Sequence, residues 1–280
     1  MKPAPLTYHR VTELGAAIDL MGGSEGYAKY LAGGQTLGPM INLRLTQPDV
    51  VIDISGIPEL RAVREDAGEI TIGAGIRHAE IEDGKVPDAS GGLLPRAAKT
   101  LAYRAVRNRG TIGGSVAHAD SVAEWPTLLM ALDARIDIVG KAGPRTLPID
   151  RFFLGYLTTA LSDEEIVTAI RVPRVASGAR IGFKKFSRKA GEFAHSIVGA
   201  VIGKAAEHSC VVLGSAAGTP IRLPTVASVA ASAGRWRDGI ESEIRRGVEH
   251  DLADRDVKLD DYEAHLHATI VVRAVKEALQ

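Results

Sequence analysis

Apolar positions along the chain switch repeatedly between a helical and a strand period. Val11, Leu14, Ile18, Leu20 and Met21 recur at near-helical spacing until Gly22-Gly23 stop them, which predicts a first helix over 11–22. "YAKYLAGG" reads as a short strand entering a glycine turn, and "TLGPMINLRL" as a helix leaving it. "DVVIDI", Asp49 to Ile54, is the compact β-branched run of a buried strand. "RAVRED" and "EITIGAG" alternate around Asp66-Ala67-Gly68 as a hairpin does. Helices fit "GGLLPRAAKTLAY", with Pro95 in an early turn, and "VAEWPTLLMALDA"; strands fit "RIDIV" and "EIVTAIRVP". Helix and strand mix without a regular βαβ rhythm, so the pattern predicts an α+β fold rather than a doubly wound sheet.

"PRVASGAR", Pro173 to Arg180, is a Pro, Gly and Ser stretch that predicts a boundary, with one domain over 1–175 and a smaller one over 178–280. Beyond it, "RIGFKKFSR", "SIVGAVIGK" and "SCVVLGSAAG" are strand-like. Two helical patterns follow, Ile240 to Leu252 and one from Asp261 onward that places Leu266, Ile270, Val271, Ala274 and Leu279 near one face. A three-stranded antiparallel sheet covered by helices uses all of them.

Charge and cysteine usage narrow the function. Lys plus Arg and Asp plus Glu number 34 each, so the chain lacks the basic footprint of a nucleic-acid or anionic-membrane binder. Cys210 is the only cysteine, which rules out an internal disulfide, a four-cysteine iron-sulfur site and a structural zinc site. "MKPAPLTYHRV" has no apolar signal region, and no run approaches the roughly 18 apolar residues of a membrane span. A cytoplasmic protein is expected.

Candidate chemistry centres on two glycine pairs. Ala32-Gly33-Gly34-Gln35-Thr36-Leu37 follows an apolar run, and Thr111-Ile112-Gly113-Gly114-Ser115 repeats the combination of glycine pair and small hydroxyl residue. Glycine pairs admit positive φ and close approach of a ligand to the main chain. Each pair alone reads more simply as a turn; together they suggest two jaws of one anion site. Successive amides would form a nest for a diphosphate, the hydroxyls of Thr36, Thr111 and Ser115 would add donors, and a helix starting at Thr36 or Leu37 would aim its positive end at the anion. Neither pair is a Walker A loop or a GxGxxG fingerprint. The eight histidines form no HExxH-like set, and the serines lack a GxSxG elbow. His118 near Asp120 could mark a metal or acid/base pair, but a hydrogen-bonding structural role is the simpler reading.

Five stretches in order, "LAGGQTLGPMINLRLTQPDVVIDISGIPEL", "ITIGAGIRHAEIE", "RAVRNRGTIGGSVAHADSVAEWP", "LSDEEIVTAIRVP" and "GFKKFSRKAGEF", together resemble the FAD-binding medium subunits of the molybdenum hydroxylase family, of the xanthine dehydrogenase and carbon monoxide dehydrogenase type. The resemblance implies a two-lobed FAD domain of the vanillyl-alcohol-oxidase (PCMH) type followed by a small α+β domain. By position it implies that Ala32, Gly33, Gly34, Gln35, Thr36 and Leu37, with Thr111, Ile112, Gly113, Gly114 and Ser115, hold the FAD pyrophosphate. Leu101, Ala117, His118, Asp120 and Glu124 fall along the cofactor, and Val167 and Lys185 (or Lys184) toward the flavin end. Phe193 stands where relatives often carry Tyr or Trp beside the isoalloxazine; core packing is an equal alternative for it. Gln35 replaces a frequent His or Ser, and "AHSIVGAV" departs from "AxVGVA". Without His or Cys in the first loop, non-covalent FAD is expected.

A flavin carries redox chemistry itself, so the resemblance implies no catalytic side chain here. It implies an electron outlet fed by a small [2Fe-2S] chain and a large molybdenum-cofactor chain, in a dimer of three-chain units, because one cysteine cannot hold the cluster. The lack of an inserted cysteine-rich loop argues against the 4-hydroxybenzoyl-CoA reductase type. The rivals are a stand-alone FAD oxidase of the same superfamily, and a binding or assembly module whose glycine pairs are only turns.

Overall fold

A computed structural model describes residues 2–280. The first layer alternates β1 (Thr7–Arg10), α1 (Leu14–Gly23), β2 (Ala28–Leu31), α2 (Leu37–Asn42) and β3 (Val50–Asp53). Its strands form a parallel sheet in the order β1-β3-β2. β3 is central, with Ile52 opposite both His9 and Tyr30, which explains its near-continuous apolar run. β1 is a polar, exposed edge strand and so left no apolar signal in the pattern. α1 buries Ala17, Ile18 and Met21, and it runs through Gly22-Gly23 instead of stopping before them.

The second layer is an antiparallel sheet of β4 (Val63–Glu65), β5 (Glu69–Gly73), β6 (Arg135–Gly140), β7 (Gly143–Pro148) and β10 (Ile166–Pro173), ordered β4-β5-β10-β6-β7. Val63, Ile72, Ile170, Ile136 and Leu147 lie in register across all five strands and make one apolar row. Intervening residues face outward, where Arg171 meets Asp137 at 2.8 Å. Short helices cover the apolar face or flank it: α3 (His78–Glu82), α4 (Leu93–Ala98), α5 (Arg104–Arg107), α6 (Ile112–His118), α7 (Glu124–Ala131) and α8 (Ile149–Phe152). A small hairpin, β8 (Phe153–Gly155) and β9 (Thr158–Thr159), follows α8.

A third sheet has the order β11-β12-β13-β14, from β11 (Arg180–Phe186), β12 (Ser196–Ile202), β13 (Cys210–Gly214) and β14 (Ile221–Arg222). The expected three strands thus gain a two-residue fourth. β12 is buried throughout: Ile197 and Val201 join the core around α7, while Val198, Ala200 and Ile202 join a core with α9 (Pro224–Ala233), α10 (Ile240–Ala253) and α11 (Asp261–Leu279). α7 is therefore clamped between two sheets, and all its residues are buried. α9 escaped the sequence pattern because its Ala- and Ser-rich stretch after Pro224 reads as a turn. The fold is α+β, as the pattern predicts.

Candidate functional site

The first jaw is the turn from β2 into α2. Gly34 takes φ +70°, a conformation that side chains resist. Among the described residues, the amides of Gly33, Gly34, Gln35, Thr36 and Leu37 donate to no acceptor of the chain; helical bonding starts one residue later, with Gly38 N–H to the Gly34 carbonyl at 3.0 Å. Gln35 folds back, its Nε2 donating to the Gly33 carbonyl at 3.2 Å. Consecutive free donors of this kind form an anion nest. Gly33 has no room for a side chain: a Cβ would strike the Arg109 carbonyl and come within 2.7 Å of the Gly110 Cα. The two glycine regions therefore touch.

The second region corrects the sequence reading, because it is a helix rather than a loop. Thr111 is the N-cap of α6, and its Oγ1 accepts the Gly114 amide at 3.1 Å. Ile112 N–H donates to the Ile76 carbonyl and Gly113 N–H to that of Ala74, both at 2.9 Å. These amides are spent within the chain, so the second pair is no open nest, and the Thr111 hydroxyl serves as a cap. Gly113 is glycine because a Cβ would lie 2.7 Å from the Ala74 carbonyl. A Cβ on Gly114 would meet Thr111 Oγ1 at 2.9 Å, so a side chain there would disturb the cap first. What this jaw offers outward is the Ser115 hydroxyl and the exposed Ala117.

Beyond α6, Ala119 caps the helix at φ +53°. Asp120 Oδ1 accepts the Val122 amide at 3.1 Å and closes the turn into α7, while His118 is half-buried at the helix end. Among the described residues no three His, Cys, Asp or Glu side chains gather as metal ligands, which leaves the His118–Asp120 metal pair without a third ligand. Glu124 opens α7 and receives the Lys185 ammonium at 2.7 Å in a pair whose side chains are 3% and 6% exposed. Lys185 also donates to the Thr100 carbonyl at 3.2 Å. Lys184 instead pairs with Glu277 of α11 at 3.3 Å, so the alternation of β11 assigns Lys185, not Lys184, to the α7 side.

Lys185 also lines a cleft of about 440 Å³ with Thr100, Ala102, Tyr103, Ser187 and Gly191. Arg107 shapes one wall, donating to the Leu101 and Ala102 carbonyls at 2.7 and 2.9 Å. It is itself gripped by Glu82, whose carboxyl the Arg107 and Arg104 guanidiniums hold below the usual carboxylate range. Gly191 packs against the same turn, where a Cβ would be 2.8 Å from the Ala102 carbonyl. Val167 is not brought to this surface; it is buried in the core beside a bulge in β10. Phe193 is 64% exposed, which removes the core-packing reading.

Sequence reasoning missed His78. It is 6% exposed, its amide donates to the Gly110 carbonyl at 3.0 Å, and its Nδ1 accepts the Trp125 indole N–H at 3.1 Å. Burial, and then the Arg107 charge, push the imidazole pKa down to about 4. The partners stand 47 residues apart, so only the stretches "ITIGAGIRHAEIE" and "VAEWP" themselves offered a signal.

Comparison with known proteins adds identity to this geometry. The family described as "FAD binding domain in molybdopterin dehydrogenase" matches residues 4–175. The carbon monoxide dehydrogenase medium chain of Hydrogenophaga pseudoflava is 39% identical over 79% of this chain and 78% of its own. The nicotine 6-hydroxylase medium subunit of Paenarthrobacter nicotinovorans is 32% identical over 82% of this chain and 81% of its own. Among solved structures, the carbon monoxide dehydrogenase of H. pseudoflava that lacks the Mo-pyranopterin moiety superposes with a TM-score of 0.88 at 33% identity, covering 99% of this chain and 98% of that one. Quinoline 2-oxidoreductase from Pseudomonas putida 86 gives a TM-score of 0.88 at 27% identity, covering 100% of this chain and 99% of that one.

Proposed function

We propose that this chain, which belongs to the family of FAD-binding domains of molybdopterin dehydrogenases, is the electron outlet of a multi-subunit molybdenum hydroxylase. It takes electrons from a partner [2Fe-2S] chain and passes them to an external acceptor. The observation that carries the reading is the run of five free amides from Gly33 to Leu37, seated on Gly110. This cradle fits the pyrophosphate of FAD, the cofactor of the family, and needs no lysine to do so. The hydroxyls of Thr36 and Ser115 complete it, and Thr111 to Gly114 act as its floor.

Beyond the cradle, His118, Asp120, Leu101 and the cleft residue Lys185 would hold the rest of the cofactor, and the exposed Phe193 would flank the flavin. When bound, FAD supplies the redox chemistry. The chain's own residues position it: Arg107 fixes the Leu101–Ala102 turn, and the buried Lys185–Glu124 pair ties the third sheet to α7. The first loop holds no His or Cys, which supports non-covalent binding. The division into an FAD domain over 1–175 and a second domain over 178–280 belongs to the same reading.

The single cysteine supports placing the [2Fe-2S] clusters, and with them the molybdenum cofactor, in a small and a large partner chain. The relatives' names as medium chains support a three-chain unit, read here as half of a dimer. Purification with its neighbouring gene products tests this: FAD should accompany one large and one small chain. Gly34→Val should lower FAD affinity on the order of tenfold or more through strain at positive φ. Full FAD occupancy in that variant, measured by flavin released on denaturation, would remove the first jaw from the site.

A further inference from the structure

The Gly110 turn carries the first jaw on one side and rests on a buried imidazole on the other. An indole N–H can only donate, so the bond from Trp125 requires a lone pair on His78 Nδ1 and places the ring proton on Nε2. The opposite edge of the ring abuts Gly110, where an added Cβ would lie 2.8 Å from Cδ2 and 2.9 Å from Nε2. The His78 amide grips the same residue through the Gly110 carbonyl at 3.0 Å. Gly110 in turn touches Gly33, whose own Cβ would come within 2.7 Å of its Cα. Trp125, His78, Gly110 and Gly33 thus form one unbroken column from the core to the open amides.

We infer that His78 is a positioning residue for FAD: its ring, oriented by Trp125, sets the height of the Gly110 turn and hence of the amide cradle. The inference rests on the proposed FAD site. An apolar ring of similar size would not serve, because it would leave the fully buried Trp125 N–H without an acceptor. Burial first, and then the charge of Arg107 in α5, keep the imidazole neutral; Glu82 is bound to that same guanidinium.

The test measures FAD affinity of the full chain, stripped of flavin and titrated with FAD, beside the melting temperature without FAD. Gly110→Ala drives a methyl group into the imidazole, and His78→Ala removes the ring; each should weaken FAD binding on the order of tenfold. Combined, the methyl takes up part of the vacated space, so the two losses should not multiply, while the Trp125 N–H still lacks the acceptor that His78 supplied. Should His78→Ala fail to fold, His78→Asn replaces it, since its Oδ1 keeps an acceptor for Trp125. A nitrogen NMR spectrum should show an unprotonated Nδ1 that Trp125→Phe releases. Unchanged FAD affinity in folded His78→Ala or His78→Asn, or single losses that simply multiply in the double variant, would overturn the inference. Gly34→Val touches none of the column, so FAD retained there would instead overturn the cradle itself, and this inference with it.

Discussion

Glycine serves three purposes within a few residues here. Gly34 supplies a positive φ, Gly33 and Gly113 admit a neighbouring backbone, and Gly114 leaves room for the cap of Thr111. Thr111→Ala should therefore cost about 1 kcal/mol of stability, read by denaturant unfolding, as expected for loss of an N-cap. A histidine supplies the second residue-scale prediction. The His78 pKa falls from 6.5 to about 4 on folding, so between these values the unfolded chain binds more protons than the folded one. Stability should decline as pH falls from about 6.5 to about 4, by about 3 kcal/mol from this group, and His78→Asn should flatten that part of the profile. His267 is shifted the same way by burial and adds to the slope, whereas the lowered carboxylates act at more acidic pH. The glycine pairs themselves were legible as residues. Which amides stayed free was not, because that depends on Ile76 and Ala74, whose carbonyls the chain brings to Ile112 and Gly113 only on folding.

At the scale of elements, burial decided what could be read. β3 and β12 are flanked on both sides and announce themselves as apolar runs; β1, at an edge, and α9, made of small residues, do not. α6 misled the reading because glycine and threonine suggest a loop, while a side-chain cap and two tertiary bonds make a helix. α7 joins the layers, and its first residue holds the one strong test of their union. Glu124→Gln alone strands the Lys185 ammonium in a buried site and should cost about 3–5 kcal/mol. Glu124→Gln with Lys185→Met removes both charges and should regain much of that loss. Equal melting temperatures for the wild type and Glu124→Gln would show that the pair does not clamp β11 to α7.

At the scale of the whole molecule, the five ordered motifs made the family legible from sequence, and the match over residues 4–175 bears that out. The column from Trp125 to Gly33 was not legible, since it joins residues distant in the chain. The described helices include none long and apolar enough to cross a membrane. On the proposed function, this chain passes on electrons and does not itself oxidise an organic substrate. Anaerobic reduction of its flavin tests that most directly, followed by absorbance with the chain alone and then with its iron-sulfur and molybdenum partners. No bleaching by substrate is expected when the chain is alone, and prompt bleaching once the partners are present. Rapid bleaching of the isolated chain by an organic substrate would contradict it.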